Sequence, residues 1–181
     1  MPAAPRTRWG WHRLSDSYAR RLVATAGVCS GDLVLDIGAG TGAITAALVD
    51  AGARVIAVEL HAGRANELRR RFDGAPVKVV AADGVDLRLP RRPFRVVANP
   101  PFAITTGLLK RLTAPGSRIV RGDLIVPTFM AERWAAGHAP GAGRWRRTHA
   151  ATVTACVPSR CFLPPGPPAA ILTIVATRCV T

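Results

Sequence analysis

Residues 32–52, DLVLDIGAGTGAITAALVDAG, constrain this chain more than any other stretch. DLVLDIG (32–38) is apolar on both of its alternating faces, so a strand here must be covered on both sides. It runs through closely spaced glycines into a helical segment that Gly52 ends. Strand, glycine turn and helix together form the first half of a crossover that returns the chain to lie parallel to its own start. The unit recurs along the chain. Strands are expected at 54–60, 77–83, 94–100 and 123–127, with helices at 62–72, 104–112 and 128–136. A helix over 15–28 with Ser15 as its N-cap precedes them, and strands at 151–157 and 169–177 close the chain. Those last two are joined without a helix and read as an antiparallel hairpin at one sheet edge. Between them Pro158, Pro164, Pro165, Pro167 and Pro168 stiffen the connection. Residues 138–149 read as a basic, glycine-rich loop. The expected fold class is α/β, with a mostly parallel seven-stranded sheet covered by helices on both faces.

Composition narrows the partners. The 181 residues suit one domain, and 49% apolar residues are enough for a real core. No apolar run approaches the ~20 residues of a membrane span, and no secretory leader is legible, so a cytoplasmic protein with no membrane partner is expected. Lys and Arg number 25 against 11 Asp and Glu, a net charge of +14 that attracts polyanions. Cys29, Cys156, Cys161 and Cys179 have no metal-ligand spacing and read as free, mostly buried thiols; no metal is expected.

The turn DIGAGTG (36–42) differs from a dinucleotide fingerprint in spacing, GxGxG rather than GxGxxG. Asp36 at its start would repel a pyrophosphate but suits a ligand with a positive centre, such as the sulfonium and ammonium of S-adenosylmethionine. Gly38 and Gly40 would let that ligand approach the backbone. Glu59, ending the next strand, can accept from both ribose hydroxyls, and Asp83 after the third strand can accept from an adenine amino group. Successive strand ends lie along one edge of such a sheet, where ligands bind.

At the end of the fourth strand the chain reads Asn99-Pro100-Pro101-Phe102. An exocyclic amino nitrogen is a poor nucleophile because its lone pair is delocalised. The Asn99 side-chain oxygen and the Pro100 carbonyl can accept its hydrogens, the prolines hold both acceptors still, and Phe102 offers a face for a flipped-out base. No strong general base is required.

WGWHRL, DIGAGTG, VIAVEL, AADGVD, NPPF, LIVPTFMAERWA and FLPPGPPAAILTI, in that order, resemble the Erm-type ribosomal RNA adenine-N6 methyltransferases, relatives of the dimethyladenosine transferases. The resemblance implies a Rossmann-like class I S-adenosylmethionine-dependent methyltransferase fold. It also implies methyl transfer to the N6 of an adenine in 23S rRNA, naked or in a pre-assembly particle. The product would be S-adenosylhomocysteine, and the physiological outcome resistance to macrolides, lincosamides and streptogramin B. It carries donor binding onto His12, Leu14, Asp36, Gly38, Gly40, Glu59, Leu60, Asp83, Gly84 and Asn99, and catalysis onto Asn99, Pro100 and Phe102. Trp11 and Arg13 depart from the pattern of the N-terminal segment. Residues 1–14 are expected as a basic arm and 15–181 as a single catalytic domain, without the family's usual C-terminal helical domain, acting as a monomer. Arg6, Arg8 and Arg13, with Arg144, Trp145, Arg146 and Arg147 on the side facing the catalytic edge, are candidate RNA contacts in its place; Arg69–Arg71 reads as a solvated helix face. Two other readings remain: methylation of an amino or amide nitrogen in DNA or protein, and a non-catalytic RNA-binding module.

Overall fold

A computed structural model describes residues 12–177, so the expected arm contacts Arg6 and Arg8, together with Trp11 and Cys179, lie outside the described residues. After a short strand β1 (Arg13–Leu14), helix α1 (Asp16–Ala26) begins at Ser15, whose hydroxyl accepts from the Tyr18 amide at 3.4 Å. It ends at Gly27, which takes the left-handed conformation (φ 62°) that a Cβ would disfavour. Tyr18, Ala19, Leu22, Val23 and Ala26 form its buried face.

Strands β2 (Leu33–Ile37), β3 (Arg54–Glu59), β4 (Val77–Ala81), β5 (Phe94–Ala98) and β6 (Ile119–Pro127) are parallel neighbours in the order β4-β3-β2-β5-β6. Helices α2 (Ala43–Asp50), α3 (Ala62–Arg71), α4 (Thr105–Leu112) and α5 (Thr128–Ala135) follow β2, β3, β5 and β6. The short helix α6 (Ala142–Trp145) leads into β7 (His149–Val157). The two-residue strand β8 (Phe162–Leu163) and β9 (Ala169–Ala176) follow. β9 inserts antiparallel between β6 and β7, which completes the seven-stranded sheet and the edge hairpin expected from the sequence. β1 and β8 form a separate antiparallel pair that the sequence reading did not foresee.

The core has two layers. Leu35, Val96, Leu124 and Leu172 face α4 and α5, where Leu108, Leu109, Leu112 and Trp134 cover them. Val34, Val55, Val97 and Ile125 face the other way, toward Leu22, Val23 and Leu48 of α1 and α2. Among the described residues no helix is long and apolar enough to cross a membrane.

Two expectations fail here. Cys29 and Cys156 are exposed and Cys161 is half-buried, so these three thiols are free but not core residues. The basic loop at 138–149 is partly helical, and Trp145 is buried, stacked on Trp134 with ring centroids 4.8 Å apart. A large ring that can cover an uncapped helix side is worth more inside than on a loop tip. Trp145→Ala is therefore expected to lower unfolding stability by about 3–5 kcal/mol, measured by denaturant titration.

The loop's position differs too. His149 pairs with Ala176 and Val157 with Ala169, while Pro127 also pairs with Ala169. β7 consequently runs parallel to β6, and its start lies at the N-terminal edge of the sheet. α5 has already carried the chain back across the sheet before residue 138. Arg144, Trp145, Arg146 and Arg147 thus sit at the edge opposite the strand ends that carry Asp36 and Asn99, a correction to the sequence reading.

Candidate active site

Parallel register brings the sequence-predicted residues together. Ile37 lies beside Val58, and Glu59 beside Ala81, so Gly38, Glu59 and Asp83 follow adjacent strand ends. Ala98, which Asn99 follows, lies beside Leu124 at the same edge. His12, Leu14, Asp36, Gly38 and Asn99 line one cleft, with Thr41 of the glycine turn and Ile44 from the start of α2.

Three consequences follow from the glycine turn. Gly38 has φ 78°, and a Cβ there would meet Pro101 Cδ at 2.9 Å and Pro100 Cα at 3.3 Å. The donor loop and the Asn-Pro-Pro-Phe segment are thereby in direct contact. The amides of Gly38 and Ala39 both donate to the Val58 carbonyl, at 2.8 and 3.0 Å, which ties the turn to β3. The Gly40 amide donates to Glu59 Oε2 at 2.9 Å.

Glu59 is buried, and its other oxygen accepts from the His61 amide at 2.9 Å and from Arg64 Nε at 3.2 Å. Arg64 was not foreseen. It stands on the first turn of α3, five residues on from the acid, a spacing that could have suggested the pair. Asp83 Oδ1 accepts from the Val85 amide at 2.9 Å, the short turn its Gly84 neighbour suggested. Gly84 packs on Ile37 and Ile104, while Leu60 stays 58% exposed at the rim.

Asp36 is the most perturbed group. Its Oδ2 accepts from the Thr45 hydroxyl at 2.6 Å, and its Oδ1 is buried with no hydrogen-bond partner among the described residues. Burial pushes the carboxyl up to about 7, with the Glu59 charge adding to the rise and the Thr45 hydrogen bond opposing it. A buried oxygen without a donor in a cleft is what a cationic ligand would complete. Thr45 was missed, although the first turn of a helix after a glycine turn necessarily lies over the strand end.

Asn99 is nearly buried, and its Nδ2 donates to the His12 carbonyl at 2.7 Å. A carbonyl only accepts, so the amide orientation is set and Oδ1 remains as an acceptor. No described group donates to the Pro100 carbonyl, while the Pro101 carbonyl accepts from the Ile104 amide at 3.1 Å. The His12 ring lies between Phe102 and Phe162, with centroids 5.8 and 6.0 Å away. The small β1–β8 sheet and the Ser15 amide, which donates to the Cys161 carbonyl at 2.8 Å, hold this N-terminal segment across the site. Arg13 forms a half-exposed ion pair with Asp16 at 3.8 Å. Among the described residues no cluster of His, Cys, Asp or Glu could hold a metal ion.

Five parallel strands extended by an antiparallel hairpin, with a glycine turn and three acids at one edge, define the class I S-adenosylmethionine-dependent methyltransferase fold. The crystal structure of the 23S rRNA methyltransferase ErmE superposes with a TM-score of 0.79 over 92% of this chain and 70% of that one, at 26% identity. A dimethyladenosine transferase from Plasmodium falciparum shares the fold at a TM-score of 0.78 and 22% identity, covering 92% of this chain and 64% of that one. The ribosomal RNA adenine dimethylase family matches residues 6–165, and the chain belongs to that family. Ribosomal RNA small subunit methyltransferase A of Thermosynechococcus vestitus is 37% identical over 174 residues, 88% of this chain and 65% of that protein. The namesake from Leifsonia xyli subsp. xyli is 35% identical over 142 residues, 74% of this chain and 51% of its own length. The chain therefore spans between half and two thirds of these curated relatives.

Proposed function

We propose that the protein transfers methyl groups from S-adenosylmethionine to the N6 amino group of an adenine in ribosomal RNA. The observation that carries this reading is the Asn99 amide, held by the His12 carbonyl with its oxygen left as an acceptor beside the glycine turn. S-adenosylmethionine supplies an activated methyl on a positively charged sulfur. Asp36 Oδ1 is the group suited to its positive end, and Glu59, already oriented by the Gly40 and His61 amides, to its ribose. The Asn99 oxygen and the Pro100 carbonyl accept the two amino hydrogens, which restores nucleophilicity to the nitrogen before it meets the methyl. Phe102 stacks on the extruded base. The nitrogen loses its proton after transfer, so no buried base is needed.

The favoured substrate is 23S rRNA, supported by the sequence motifs and the likeness to ErmE, with resistance to macrolides, lincosamides and streptogramin B as the consequence. The names of the relatives above favour a second reading, small-subunit rRNA. Labelled methyl transfer to deproteinised 23S and small-subunit rRNA, followed by nucleoside analysis, separates the two. N6-methylated adenosine in 23S rRNA is the expected product. Label in small-subunit rRNA alone would transfer the assignment to that subunit, and label in neither RNA would overturn the proposal.

A further inference from the structure

The catalytic edge does not hold all of the unpaired positive charge. Arg13 and Arg64, close to the site, are each engaged by an acid. Arg88, Arg91, Arg92, Lys110 and Arg144 are all exposed, and none makes an ion pair or side-chain hydrogen bond among the described residues.

These five form a row. The segment 82–93 descends from the end of β4 to the start of β5, so Arg88, Arg91 and Arg92 fall toward the N-terminal edge, where they line one cleft with Leu33 and Ile56. Arg111 donates to the Leu87 carbonyl at 3.1 Å and ties that segment to the end of α4. Lys110, on the same last turn, lines a second cleft with Pro140, Gly141 and Arg144. The row therefore crosses the α4–α5 face of the sheet from β3 to α6. Basic residues in the last turns of α4 and α6 also complement the helix dipoles, but that does not account for Arg88, Arg91 and Arg92, which lie on a non-helical segment. Asp86, exposed two residues before Arg88, is the acid nearest in sequence to the arginines.

β5 has five residues. At ~3.3 Å each it spans about 17 Å, so Arg91 and Arg92 lie about 20 Å from Asn99.

We propose that this row is a distal contact surface for the phosphate backbone of a structured RNA, so that substrates must reach about 20 Å beyond the target adenine. It rests on the function proposed above. Guanidinium groups free of acid partners are suited to bidentate phosphate contact, and a folded RNA presents such phosphates far from the extruded base.

The test compares two variants that remove the same charge. One replaces Arg91, Arg92, Lys110 and Arg144 with Gln. The other replaces Arg20, Arg21, Arg69 and Arg70, exposed on the α1–α3 face, with Gln. Binding and methylation of deproteinised rRNA are measured against a short single-stranded oligonucleotide carrying the target adenine. The first variant is expected to lose about tenfold or more in rRNA affinity at low salt, and its log–log salt slope to flatten by roughly 2–4. Its kcat/KM on the oligonucleotide and its donor affinity are expected to stay within about twofold of wild type, with the control variant close to wild type on both RNAs. Equal losses in both variants, or a first variant indistinguishable from wild type, would overturn the surface while leaving methyl transfer intact. Wild-type protein that binds an acidic polypeptide as tightly as rRNA would overturn the surface, and wild-type protein that methylates no RNA would overturn both.

Discussion

Asn99→Ala is expected to lower the rate of methyl transfer by about two to three orders of magnitude, the loss typical of removing one preorganised polar contact to a reacting group. Asn99 does two things in this site: its Nδ2 fixes the His12 carbonyl, and its Oδ1 is left to accept. Alanine removes both. Single-turnover measurement with saturating donor isolates the chemical step, and donor affinity measured by calorimetry is expected to change far less than the rate. His12→Ala keeps the backbone carbonyl and removes only the ring between Phe102 and Phe162. It should therefore cost much less in the chemical step. An Asn99→Ala enzyme with near wild-type turnover would remove the acceptor role altogether.

The second large effect is the pH dependence that Asp36 imposes. Its carboxyl, raised to about 7 by burial, is protonated in the donor-free fold at pH values where an unfolded chain has already ionised it. The folded state then holds more protons than the unfolded one, so stability is fully present at low pH and is lost as pH rises toward about 7. With about three units between the two states, this one group costs on the order of 4 kcal/mol above neutrality. Asp36→Asn should remove that loss, and its stability relative to wild type should grow between pH 4 and 8 and then level off, read from urea titrations at each pH. Donor binding has the opposite requirement, because a cationic centre is held by the ionised acid. Donor affinity in the wild type should fall by up to about tenfold per unit below neutrality, and calorimetry in buffers of different ionisation heat should detect proton release. A flat affinity profile from pH 5.5 to 8 would show that Asp36 does not face the donor's charge.

Much of this site is local in origin, which is why it was legible in the chain. A strand apolar on both faces, the glycine turn and Asn-Pro-Pro-Phe each announce themselves within a few residues, because turn geometry and burial depend on neighbours in sequence. Parallel connection then places Gly38, Glu59, Asp83 and Asn99 along one edge without further information. Ser15 and Gly27 end α1 where their own conformational preferences dictate.

What the sequence could not settle are contacts between residues far apart in it. The His12 carbonyl meets the Asn99 amide across 87 positions, through a pairing of β1 with β8 that two-residue strands cannot advertise. Trp145 reads as an exposed aromatic in a basic loop until Trp134 is found beneath it. The placement of Arg144–Arg147 followed from the direction of β9, and an antiparallel hairpin is compatible with the same local pattern whichever edge its loops occupy. The sequence by itself thus determined the elements, the edge that carries the chemistry and its principal residues, since these follow from local conformation and one rule of connection. Only the tertiary structure decided the orientation of the Asn99 amide, the isolation of Asp36 Oδ1 and the sheet edge at which Arg144–Arg147 lie. Each of these depends on which distant surfaces are buried against one another.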